Sequence, residues 1–121
     1  MPDGPLSDDF AEVEPHGDWI VLRPLEPAMM DQSKIDTLSE RVAALVKASR
    51  ARIILDLAKV EYISSSMVGA LLSARKSTKK RGGETVLCGL NPRLEQLLKL
   101  VKLDKMFRIE PDAESALAKA G

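Results

Sequence analysis

Ile53-Ile54-Leu55-Asp56-Leu57 and, after four intervening residues, Tyr62-Ile63-Ser64-Ser65-Ser66-Met67-Val68-Gly69 form the most informative stretch of this 121-residue chain. The first run is short, aliphatic and rich in β-branched side chains, the pattern of a strand buried on both faces of a parallel sheet. The second sets three hydroxyl side chains ahead of Met67, Leu71, Ala74 and Thr78, which recur at helical spacing. Serine is a favoured N-cap because its oxygen accepts from a free N–H of the first turn, so the serines predict a helix start. That helix runs out in Lys79-Lys80-Arg81-Gly82-Gly83, with cations on its negative end and glycine as the stop.

Similar units flank this one. Thr85 to Gly89 reads as a strand, and Asn91-Pro92 as the cap and first turn of a helix with apolar Leu94, Leu97, Leu98 and Val101. Phe107-Arg108-Ile109 is a candidate edge strand, and Asp112 a cap for a last short helix to Lys119. Upstream, Asp31 and Ser33 are candidate N-caps for a helix carrying Ile35, Leu38, Val42, Leu45 and Val46, ending near Ser49. Phe10 to Glu14 and Trp19 to Leu25 read as strands joined by the turn Pro15-His16-Gly17-Asp18, an antiparallel hairpin. Residues 1–9, rich in Pro, Gly, Ser and Asp, read as a flexible tail, and residues 10–121 as a single domain. The order β-β-α-β-α-β-α-β-α predicts an α/β fold: a mostly parallel sheet with an N-terminal antiparallel hairpin and four helices.

Composition narrows the function. Hydrophobic residues make up 45% and aromatics 3%, so the core is aliphatic. The formal net charge is +0, which argues against a dedicated nucleic-acid binder. The charge is uneven: residues 1–18 hold six acids and no Lys or Arg, so the other 12 acids face all 18 cations, a net +6. A single cysteine, Cys88, allows no internal disulfide and reads as a small core hydrophobe; a zinc cluster is not expected. No secretory signal is visible and no apolar stretch approaches the ~20 residues of a membrane span, so the expectation is a cytoplasmic protein without direct membrane insertion.

Topology then locates the candidate site. In open α/β sheets, sites lie beyond the carboxyl ends of the parallel strands. The loops there carry Asp31, Ser64, Ser65, Ser66 and Asn91. The only histidine, His16, belongs at the opposite edge, so a Ser-His-Asp triad is not expected, and neither G-x-S-x-G nor a Gly-rich phosphate cradle is present. No catalytic residue, metal or cofactor is therefore expected. A helix-start hydroxyl faces free N–H groups and the positive end of the helix dipole, where a covalently attached phosphate is well held. One serine suffices for a cap; three in a row exceed that need. Met29-Met30 reads either as core or as an exposed patch, and Lys76, Lys79, Lys80 and Arg81 as a solvated helix end.

Over Ile53–Gly69 the chain resembles the STAS domain family, the fold of bacterial anti-sigma factor antagonists. The family pattern is an apolar strand ending Asp-Leu, then an aromatic, an apolar residue and Asp-Ser-Ser-Gly-Leu-Gly; here Asp56-Leu57 and Tyr62–Gly69 stand in those places. Gly82–Leu90 and Leu103–Phe107 also look like the family. Ser64 stands where the family has an acid, and Met67 where it has glycine.

The resemblance implies an anti-sigma factor antagonist that partner-switches. It would bind a serine-kinase anti-sigma factor, be phosphorylated on Ser65, with Ser64 and Ser66 as alternatives, and be reset by a phosphatase. The implied partner-binding residues are Asp31, Ser64, Ser65, Ser66, Met67 and Val68, the last two being contacts if exposed and otherwise core. The alternative it leaves open is a non-phosphorylated STAS subunit or scaffold of a transporter or signalling complex. Oligomeric state is not legible.

Overall fold

The computed structural model describes residues 7–48 and 51–120. Its elements are β1 (Ala11–His16), β2 (Trp19–Pro24), β3 (Ala28–Met29), α1 (Gln32–Lys47), β4 (Arg52–Asp56), β5 (Tyr62–Ile63), α2 (Ser65–Lys80), β6 (Glu84–Cys88), α3 (Pro92–Leu100), a 3-10 turn (Leu103–Lys105), β7 (Arg108–Glu110) and α4 (Ala113–Ala120). The main sheet has the order β1-β2-β4-β6-β7. β1 pairs with β2 antiparallel, and all other neighbours in this sheet are parallel. This is the expected architecture.

Strand alternation sorts the core into two layers. Ile20, Leu22, Ile53, Leu55 and Leu87 face Ile35, Leu38, Val42, Met67 and Leu71 of α1 and α2. Trp19, Val21, Ile54, Val86 and Cys88 point to the other face, against Ala116 of α4. The doubly covered strands β4 and β6 are thus apolar at nearly every position, as parallel strands between two helical layers must be. Burial there pushes the Cys88 thiol up to about 12, so it stays a neutral thiol.

Local differences from expectation have local causes. β1 continues through Pro15 and His16, and the turn contracts to Gly17 and Asp18. Proline is tolerated because β1 is an edge strand, and Gly17 at φ +62° suits a two-residue hairpin turn. The expected tail over 1–9 falls mostly outside the described residues. Within them, Ser7 Oγ accepts from the Val13 N–H at 2.7 Å, and Asp8 pairs with Arg41 at 2.6 Å. Ser49, the expected end of α1, is likewise undescribed; the helix ends at Lys47.

The end of α2 is a Schellman motif: Gly83 N–H donates to Thr78 O at 2.8 Å and Gly82 N–H to Lys79 O at 3.0 Å. The Thr78 and Thr85 hydroxyls, both buried, satisfy each other at 2.9 Å. At the opposite edge, Arg23 joins Asp56 at 2.8 Å, Glu12 at 2.8 Å and Glu14 at 2.7 Å. Asp56 is buried, and its other oxygen accepts from the Ala58 N–H at 3.0 Å, which aims the chain out of β4 toward β5.

Candidate functional site

The site is assembled by a pair of strands too short to carry a periodic signal. β3 and β5 pair in parallel, Ala28 with Tyr62 and Met29 with Ile63. Ser64 N–H then donates to Met29 O at 3.2 Å. Two residues past Met29 stands Asp31, and two residues past Ile63 stands Ser65. The starts of α1 and α2 are therefore held side by side beyond the carboxyl ends of β2 and β4.

Each start is capped by its own side chain. Asp31 Oδ1 accepts from the N–H and the hydroxyl of Ser33, both at 3.0 Å. The Ser33 N–H bond is the main cause that holds the Asp31 carboxyl below its usual range. Such a carboxylate is a permanent negative charge and a poor general base. Ser64 is the N-cap of α2; its Oγ accepts from the Met67 N–H at 3.4 Å and its carbonyl accepts the same N–H at 3.0 Å.

The three serines thus divide their tasks. Ser64 is half-buried and engaged in capping, whereas Ser65 and Ser66 are exposed in the first turn. The first N–H groups of a helix have no partner within it, so an anion here meets both N–H donors and the dipole.

Met67 and Val68, adjacent in the first turns of α2, differ in burial. Met67 is 0% exposed and packs in the main core, so of the two readings open for it, contact residue or core residue, the structure has the core one. The helical stripe from Met67 to Leu71, Ala74 and Thr78 faces the sheet and takes Met67 with it. Val68 is half-buried against the same core and offers only an edge.

Other residues supply the exposed apolar rim. The methionine pair splits at the end of β3: Met29, in the strand, is 0% exposed and Met30, in the turn after it, is 54% exposed. Tyr62, 44% exposed, lies under the Arg93 guanidinium, whose carbon sits 4.5 Å from the ring centroid. Asn91 caps α3 through Leu94 N–H at 2.8 Å, and its amide donates to Glu61 O at 3.3 Å, tying that loop to the start of α3. Sequence reasoning left Met29-Met30 open between core and exposed patch and missed Tyr62, because only the β3–β5 pairing brings the two segments together beside Ser64.

His16 pairs with Trp19 at the amino end of β2, at the edge opposite Ser65. Among the described residues no group of three or more His, Cys, Asp or Glu could hold a metal ion. No helix among them is long and apolar enough to cross a membrane. What the arrangement offers chemically is an exposed serine hydroxyl at a helix start, beside a fixed carboxylate and an apolar rim.

Comparison with known proteins gives a consistent picture. The STAS domain family model matches residues 11–116. BtrV of Bordetella bronchiseptica, assigned as an anti-sigma factor antagonist, is 28% identical over 90 residues, spanning 74% of this chain and 78% of BtrV. The crystal structure of a protein assigned as an anti-sigma factor antagonist from Thermotoga maritima superimposes with a TM-score of 0.82 at 23% identity, over 90% of this chain and 92% of the other. The phosphorylated form of the Bacillus cell fate determinant SpoIIAA superimposes with a TM-score of 0.72 at 17% identity, over 92% of this chain and 99% of the other. The last two likenesses establish a shared fold.

Proposed function

The chain belongs to the STAS domain family, and on that premise we propose that it is an anti-sigma factor antagonist whose binding is switched by phosphorylation of Ser65. Its partner is an anti-sigma factor that is also a serine kinase, and a phosphatase resets it. The observation that carries this reading is the division among the serines. Ser64 is committed to capping α2, while the Ser65 hydroxyl stands exposed at the same helix start, beside the start of α1.

The switch is electrostatic. Unphosphorylated, the surface around Ser65 offers an apolar rim, Met30 and Tyr62, and neutral hydroxyls. A phosphate adds about −1.5 to −2 charges at pH 7. Placed in the middle of a contact, it must be desolvated at a cost of several kcal/mol. Asp31, already ionised nearby, adds repulsion. The fold tolerates the same group, because the first-turn N–H groups and the dipole stabilise an anion by about 0.3–1 kcal/mol. The protein therefore stays folded while its affinity drops. The chain needs no nucleotide of its own, since the phosphate comes from the partner's ATP, and nucleic acid has no part in the cycle. It acts in the cytoplasm, where a sigma factor is controlled.

The experiment is a binding titration against the kinase-type anti-sigma factor with wild-type, Ser65→Ala and Ser65→Asp proteins. Ser65→Ala should bind like wild type. Ser65→Asp should bind at least tenfold more weakly with an unchanged fold. Equal binding by all three would contradict the switch.

A further inference from the structure

A second surface lies along the exposed side of α2 and the connection from α3 to β7. Residues 65–81 contain five cations and no acid. Leu72, Arg75, Lys76 and Lys79 follow one another at helical spacing on α2, and Leu72, Lys76 and Lys79 are exposed. Arg75 Nε donates to Met106 O at 2.8 Å, which joins this stripe to the turn after α3. That turn carries Lys99, Lys102 and Lys105 against a single acid, Asp104.

Large apolar side chains stand among these cations. Leu100 is 79% exposed, and Val101 and Met106 are each 42% exposed. Val101 reads from sequence as part of the buried stripe of α3, yet it is the C-cap, where the helix has already ended. Lys102, the next residue, takes a left-handed conformation at φ 63°, which turns the chain away and leaves Leu100 and Val101 projecting.

The rest of the molecule carries the opposite charge. β1 and β7 are the two edges of the sheet. Asp8, Asp9, Glu12, Glu14 and Asp18 lie in and around β1, and the basic turn leads into β7. A chain with net charge +0 is in this way strongly polarised, and it orients its basic side toward any anionic surface.

We propose that this face docks on an anionic lipid surface, with the lysines over the headgroups and Leu100, Val101 and Met106 dipping into the interface. A projecting apolar tip ringed by flexible lysines fits a deformable, laterally mobile surface better than a shaped protein pocket. Basic and apolar contacts together are what interfacial adsorption requires; neither alone anchors well. Adsorption of this kind needs no spanning segment. It leaves Ser65, at the other end of α2, open to its partner.

Co-sedimentation with vesicles tests this directly. The purified chain should pellet with phosphatidylcholine vesicles containing 30% phosphatidylglycerol at low salt, and not with pure phosphatidylcholine. Lys76→Glu with Lys105→Glu, both exposed, should weaken binding about tenfold or more. Leu100→Ser should weaken it severalfold without altering the fold. Asp9→Lys, at the opposite edge, should not weaken it. No pelleting with anionic vesicles, equal pelleting with neutral ones, or indifference to both variants would overturn the proposal. So would displacement of the protein from vesicles by a stoichiometric polyglutamate peptide, which would assign the face to an acidic protein instead.

Discussion

The N–H of Ser64 donates to the carbonyl of Met29, and this one backbone bond, at 3.2 Å, continues the β3–β5 pairing up to the two helix starts. Everything the site can do depends on it, because it sets an exposed serine and an ionised aspartate at the heads of neighbouring helices. The side chain of Ser64 has a separate duty as the cap of α2.

Capping and switching should therefore separate by mutation. Ser64→Ala removes the cap and should lower stability by about 1 kcal/mol. Ser65→Ala should change stability by less than about 0.5 kcal/mol, as exposed substitutions do. Urea titration of the two variants checks this; equal losses would mean that the serines share the cap.

Met67 should behave as a core residue. Met67→Ala should cost about 2–5 kcal/mol through the cavity it leaves. Partner binding by the fraction that remains folded should be little affected. Exposed Met30→Ala should do the reverse, leaving the melting temperature unchanged and weakening the partner complex.

Much of this was legible from the sequence, and the failures are instructive. β4 and β6 declare themselves by unbroken aliphatic runs, and α1 and α2 by their stripes and caps. The stripe that runs from Met67 to Thr78 turns Met67 inward, which decides between its two readings, contact and core, in favour of the core. β3 and β5 have two residues each, too few for any periodicity. Their pairing is a tertiary fact; it decides which of Met29 and Met30 is core, and it sets Tyr62 opposite Ala28. Asp31 and Ser65 could be set at the same sheet edge by topology alone, but not side by side.

Two glycines should respond in opposite ways. A Cβ on Gly83 would lie 1.9 Å from Ala51 O, backbone that also accepts from Glu84 N–H, so Gly83→Ala should be severely destabilising. Gly69 sits inside α2 with open space around it, so Gly69→Ala should stabilise by about 0.5–1 kcal/mol. Thermal melts of the pair decide.

The Arg23 cluster should be indispensable at neutral pH. Arg23→Met leaves buried Asp56 without its cation and should cost about 3–5 kcal/mol by chemical denaturation. A loss below about 1 kcal/mol would show that the fold does not depend on the Arg23–Asp56 pair.

Acid should weaken the fold through its depressed carboxylates. The hydrogen bond from Arg23 holds Glu14 below its usual range, and that from Arg41 does the same for Asp8. Folded pKa values below the unfolded ones, about 4.3 for Glu and 3.9 for Asp, give stability that is present above those values. It is lost as pH falls through the folded values. Urea midpoints should therefore be level from pH 6 to 8 and fall below about pH 4. Arg41→Ala should make that fall shallower while changing neutral stability by under about 1 kcal/mol.

The switch stands or falls with the residue that carries the phosphate. Incubation of the protein with its cognate serine-kinase anti-sigma factor and ATP, followed by peptide mass spectrometry across residues 59–75, reads it directly. One phosphate is expected, on Ser65, absent from Ser65→Ala. Phosphate on Ser64 or Ser66, or none from any cognate kinase, would contradict it; the last result would favour a STAS subunit that binds constitutively.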